Sequence, residues 1–117
     1  MKSLALTALT LLATSSVFAA DLKVTCTVNM NNDKMLETVV KPTLNGYGKI
    51  GDIDGFSFRI RNNDGQKVSL EIFDIAGEGR YYADATLKEV GDSVTASIWR
   101  RDVLLDATCQ SLSDLKN

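Results

Sequence analysis

The sequence predicts an all-β protein: a small antiparallel meander of seven to eight strands closing into a barrel or sandwich, tied by one disulfide, behind a cleaved signal peptide. Three observations point there. Apolar residues alternate with polar ones in segment after segment, the pattern of strands with one buried face. Glycine- and asparagine-containing turns separate those segments. The two cysteines, Cys26 and Cys109, stand in the first and last of the strands.

The chain opens "MKSLALTALTLLATSSVFAAD". Lys2 supplies a short positive region, Leu4 to Leu12 an apolar run, and small residues follow, with Val17 and Ala19 at the small-x-small cleavage positions. This is the layout of a secretory signal peptide, and the run is too short to span a bilayer. Residues 1–19 are therefore read as the signal and 20–117 as a single β domain, periplasmic or secreted. Cleavage after Ala20 is the alternative, and no cysteine at the cut calls for a lipid anchor.

Removing 19 residues from 117 leaves 98, enough for one small core. Of 13 basic and 15 acidic residues only Lys2 leaves with the signal, so 12 less 15 gives a mature charge of −3. A mildly acidic chain has no electrostatic reason to seek nucleic acid or an anionic membrane. Two thiols in an exported small domain read as one disulfide. Neither a C-x-x-C spacing nor a neighbouring histidine suggests redox chemistry.

The strands follow in order. "LKVTCTVNM" puts Leu22, Val24, Cys26, Val28 and Met30 on one side. Met35 to Ile50 is less regular and reads as two short strands broken at Pro42. "FSFRI" and "KVSLEIF" bury Phe56, Phe58, Ile60 and Val68, Leu70, Ile72; the intervening "NDG" predicts a three-residue loop with Asn62 opposite Gln66. That register sets Ile60 against Val68, Phe58 against Leu70 and Phe56 against Ile72.

"YYADATL" and "SVTASIW" bury Tyr81, Ala83, Ala85, Leu87 and Val94, Ala96, Ile98. A hairpin through "KEVGDS" pairs Leu87 with Val94, Ala85 with Ala96 and Ala83 with Ile98. "VLLDATC" buries Val103, Leu105, Ala107 and Cys109; closing around Arg101-Asp102 pairs Ile98 with Leu105, Ala96 with Ala107 and Val94 with Cys109. The Cys26–Cys109 bridge then joins the ends of the meander across the core. The small inward residues Ala83, Ala85, Ala96 and Ala107 fit a filled interior rather than a lipocalin-like cavity.

The chain has no histidine, which removes the usual general base and commonest metal ligand and excludes Ser-His-Asp and Cys-His hydrolases. The aspartates fall at turns and outward strand positions, so no enzyme, cofactor or metal is expected. "GDIDGF" places Asp52 and Asp54 before Gly55 like the start of a calcium loop. Phe56 takes the third ligand position, the glutamate position falls at Arg59 or beyond, and an Asp-Gly turn explains the same residues. Met30 and Met35 without histidine or a third sulfur read as core and loop.

The candidate surface lies on the outer face. The registers above set outward Tyr82 opposite Trp99 and Trp99 opposite Leu104, with Glu71 or Phe73 on the far side of Tyr82. Arg80, Arg100 and Arg101 rim the row. Tyr, Trp and Arg dominate binding hot spots, so Tyr82, Trp99, Leu104, Arg80 and Arg101 are the expected contact residues. Two other fates for the row are cross-strand aromatic stabilisation and coverage by the Met35–Gly55 segment.

Over its last third, "GEGRYYADATLKEVGDSVTASIWRRDVLLDATCQ", the chain resembles the membrane-bound or periplasmic inhibitors of c-type lysozyme. Gly79, Arg80, Tyr81, Gly91, Asp92, Thr95, Arg101, Asp102, Leu105 and Cys109 stand where that pattern places them. The resemblance implies a small exported β-barrel with a bridge from an early to a late cysteine. It also implies inhibition of a wall-degrading enzyme through the loop Ile75 to Arg80. The chain departs from the family at two places: Ala76 or Gly77 stands where the loop serine is expected, and Val90 where a lysine precedes the Gly-Asp turn. The expected role is a non-catalytic binding module whose partner is a cell-envelope protein, with lysozyme-type inhibition of an extracellular enzyme as the alternative.

Overall fold

The computed structural model describes residues 21–100 and 102–114. The expected signal peptide, residues 1–19, and Arg101 lie outside the described residues. Eight strands run in chain order: β1 (Val24–Met30), β2 (Asp33–Val40), β3 (Tyr47–Ile53), β4 (Phe56–Asn62), β5 (Lys67–Asp74), β6 (Gly79–Thr86), β7 (Ser93–Arg100) and β8 (Val103–Ser111). They form two packed four-stranded antiparallel sheets, ordered β2-β1-β8-β7 and β3-β4-β5-β6. The fold is the expected all-β meander with one disulfide.

The two orders taken together are the chain order closed on itself. Each strand lies beside its sequence neighbours, and β8 returns to pair with β1 from Val24↔Ser111 to Met30↔Leu105. Two seams carry no ladder, between β2 and β3 and between β6 and β7. Side chains close the first. Leu36 and Val40 of β2 lie over Gly51 and Gly48 of β3; a Cβ on Gly51 would stand 2.6 Å from the Leu36 Cδ1, and one on Gly48 would collide with the Val40 side chain. Strand β3 can approach only where it lacks side chains, which is why its glycines break the alternation that marks the other strands.

The core is what the alternation selects. Val24, Val28, Phe58, Ile60, Val68, Leu70, Ile72, Leu87 and Leu105 are buried, and Ala96, Ala107 and both cysteines join them. Cys26 and Cys109 are directly opposed partners on adjacent hydrogen-bonded strands. The bridge therefore lies within one sheet, and the expectation of a bridge across the core is corrected: directly opposed partners on adjacent strands meet without leaving their sheet. It still ties the first strand to the last, closing an 83-residue loop.

Three hairpins were anticipated and the registers sort them. The β7–β8 pairing is the expected one: Val94↔Cys109, Ala96↔Ala107 and Ile98↔Leu105. The β4–β5 register is two residues away from the expected one, with Asn62↔Val68, Ile60↔Leu70, Phe58↔Ile72 and Phe56↔Asp74. The cause is Asn62, which is drawn out of the turn and buried. Its Nδ2 donates to the Pro42 carbonyl at 3.2 Å and its Oδ1 accepts from Gly65 N–H at 2.7 Å. Asp64 Oδ1 accepts from Gln66 and Lys67 N–H and completes a longer loop. A slip of two preserves parity, so every apolar residue keeps its face.

The third hairpin is absent. Residues 87–92 carry the chain from one sheet to the other, so Leu87, Ala85 and Ala83 do not pair with Val94, Ala96 and Ile98. Leu87 N–H donates to Gln66 O on the β5 side. On the other side Gly91 N–H donates to Ser111 O and Ser111 N–H to Asp92 O. Leu87 just before the turn and Gly91 and Asp92 at its end thus bond to different sheets. Asp92 Oδ2 accepts from Lys88 and Glu89 N–H inside the turn, and no ladder forms between the flanking strands. Strand β6 instead pairs with β5, Glu71↔Tyr82 and Phe73↔Arg80.

Candidate functional site

The strand directions gather four chain reversals at the end remote from Asp21 and Asp114: residues 31–32, 54–55, 75–78 and the β7–β8 connection at Asp102. Asn31 and Asn32 (φ 51° and 71°) and Asp54 and Gly55 (φ 47° and 82°) form two-residue turns with both central residues left-handed, the geometry that matches strand twist. The Asp-Gly turn is the one the sequence suggests.

These tips are bonded in series. Asn31 N–H donates to Leu104 O at 2.8 Å, and Leu104 N–H donates to Asn31 Oδ1 at 2.9 Å, joining the β1–β2 tip to the β7–β8 tip. Arg100 then reaches across the β6–β7 seam and forms an ion pair with the nearly buried Asp74 carboxylate. Asp74 Oδ1 also accepts from Gly77 N–H at 2.8 Å, folding the 75–78 turn. Ile75 N–H donates to Gly55 O at 2.9 Å and ties that turn to the Asp54–Gly55 tip. Between the tips lies a surface cavity of about 420 Å³, lined by Asp54, Phe56, Asp74, Ala76, Gly77, Arg100, Asp102 and Val103.

Large apolar side chains are exposed at positions next in sequence to residues that line this cavity. Trp99 is 77 % exposed and Ile75 65 %. Trp99 pairs with Leu104 as expected. Tyr82 does not join them. It is 63 % exposed but sits opposite Glu71 in the other sheet, because no ladder connects β6 to β7. The Tyr82–Trp99–Leu104 row is therefore broken between its first two members. Arg80 is exposed on β6, and Arg101 lies outside the described residues. The Met35–Gly55 segment builds β2 and β3 and leaves Trp99 and Tyr82 uncovered.

A second surface was not anticipated. On the outer face of the β3–β6 sheet the Arg59 guanidinium lies between two rings, 4.4 Å from the Tyr47 centroid and 4.5 Å from that of Phe73. Arg61 stands 5.7 Å from Tyr47 and Arg80 5.9 Å from Phe73. Beneath them Glu71 accepts from Arg59 Nε at 2.5 Å and lies 3.8 Å from Arg61. Parity in "FSFRIRN" already turns Arg59 and Arg61 outward, opposite to buried Phe58 and Ile60. Tyr47 carries no such signal, because the β3 glycines hide its strand.

The carboxylates are engaged locally. Asp52 is held below its ordinary range by a hydrogen bond from Lys49, with Ser57 adding to it. Asp64 is lowered by the Lys67 and Gln66 N–H groups. Among the described residues no three His, Cys, Asp or Glu side chains are grouped to hold a metal, and no helix is long and apolar enough to cross a membrane. Comparison with family models, with curated proteins and with solved structures finds no match for this chain.

Proposed function

We propose that this domain is an exported, non-catalytic binding module that engages a protein partner with the end of the sandwich formed by its four bonded turns. The observation that carries the reading is the conjunction of exposed Trp99 and Ile75 with tips already fixed by Asn31–Leu104, Arg100–Asp74 and Ile75–Gly55. An exposed indole on a rigid frame loses little conformational freedom on binding, which is how a small surface gains affinity. Leu104 and the cavity supply the neighbouring contact. The test is partner capture from an extract of the compartment receiving the exported chain, comparing wild type with Trp99→Ala and Ile75→Ser. Capture that survives both changes contradicts the reading.

A second reading is inhibition of a wall-degrading enzyme. It is favoured by the position of the loop Ile75 to Arg80 on this same end, held by Asp74 through Gly77. A lysis assay in which micromolar protein gives c-type lysozyme no protection removes it.

A further inference from the structure

We infer that the outer face of the β3–β6 sheet is a separate docking surface for an acidic polypeptide, recognised through the guanidinium edges of Arg61 and Arg80. This surface is independent of the turn end. Its outward charges are Lys49, Arg59, Arg61, Lys67 and Arg80 against Asp52, Glu71 and Asp84, five to three, on a chain whose whole formal charge is −2. Lys49 is neutralised by Asp52 at 3.0 Å. At the other edge Asp84, which accepts from Ser69 at 2.6 Å, offsets Lys67. What remains is three arginines sharing one carboxylate, Glu71, whose oxygens are already given to Arg59 at 2.5 Å and Arg61 at 3.8 Å.

The stacking decides what kind of anion fits. Tyr47 carries Arg59 and Arg61, and Phe73 carries Arg59 and Arg80. These two rings are thus engaged by guanidinium planes, and Tyr82, exposed opposite Glu71, borders the arginine cluster. A stacked guanidinium presents its N–H edge, and that edge matches a carboxylate in plane with two donors. Stacking also fixes the side chain beforehand, reducing the entropy lost on pairing. The face is a four-stranded sheet surface with its arginines stacked on rings, which suits glutamate and aspartate side chains on a protein.

Fluorescence anisotropy of labelled octaglutamate against the whole chain tests this. We expect binding at low salt that weakens as ionic strength rises. Arg61→Gln with Arg80→Gln should weaken it about tenfold, since each exposed pair contributes up to about fivefold. Lys23→Gln with Lys34→Gln makes the same charge change on the other sheet and should leave it unaltered. Arg61→Lys with Arg80→Lys keeps the charge but loses the planar fork and should fall between, which also guards against a misfolded glutamine variant. The inference is overturned if octaglutamate does not bind, if both glutamine pairs weaken it equally, or if a heparin fragment binds in preference to octaglutamate. These outcomes are independent of partner capture through Trp99.

Discussion

Asp74 organises the turn end more than any other side chain. One oxygen folds the 75–78 turn through Gly77, and the other receives Arg100 from across a seam that has no backbone ladder. Removing it leaves a half-buried guanidinium without its carboxylate and a turn without its acceptor. Asp74→Ala should therefore cost about 1 to 3 kcal/mol in denaturant unfolding. It should also loosen the tips, read as faster amide exchange at Gly77. Trp99→Ala should do the opposite, leaving stability within about 0.5 kcal/mol because the indole is surface-exposed, while abolishing partner capture.

Asp52 and Asp64 set a residue-scale pH dependence. Both are lowered in the folded state below the ordinary aspartate range. A depressed carboxylate favours the native state above its unfolded pKa, and that contribution disappears as pH falls through the folded value. Stability should thus hold down to about pH 4 and decline below it. Asp64→Asn should remove part of that acid slope, checked by unfolding midpoints across the acid range and by carboxyl titration in NMR spectra.

At the scale of elements, the β2–β3 seam depends on what β3 lacks. Gly48→Ala drives a methyl into Val40, and Gly51→Ala one into Leu36. Overpacking of this kind costs about 1 to 3 kcal/mol, so each variant should lower the unfolding midpoint, and Val40→Ala should partly relieve Gly48→Ala. The same seam shows where sequence reading reaches its limit. Parity gave the buried face of β1, β4, β5, β6, β7 and β8 from Val24 to Cys109, because one-sided burial imposes a period of two. Register depends on single polar groups that parity does not see. Asn62 moved the β4–β5 pairing by two residues through Pro42 and Gly65, and Asp92 with Ser111 turned an expected hairpin into a crossing between sheets.

Those two local bonds determine how much of the candidate site was legible. Trp99 opposite Leu104 followed from a register fixed by a short turn, whereas Tyr82 opposite Trp99 required the β6–β7 hairpin that Leu87 and Gly91 prevent. The Arg59 stack was half visible, since parity exposes the arginines but Tyr47 lies on a strand interrupted by glycine.

For the whole molecule, the bridge between the first and last strands matters most. Chain-entropy reasoning assigns an 83-residue loop about 4 to 5 kcal/mol, comparable to the net stability of a small domain. Cys26→Ala with Cys109→Ala should lose about 2 to 5 kcal/mol, measured by denaturant titration of both forms under oxidising conditions. The β1–β8 ladder remains available to the unbridged chain, so the loss should appear as a lower midpoint with the sheet signal retained in water.

The claim that the bonded turn end is the contact surface is tested most directly by site-specific photo-crosslinking in the producing cells. A photoreactive residue replaces Ile75 on the turn end, or the exposed Val90 in the 87–92 crossing at the opposite end of the sandwich. The account predicts a discrete protein adduct from position 75 and none from position 90. Adducts from position 90 alone, or from both positions equally, would contradict it.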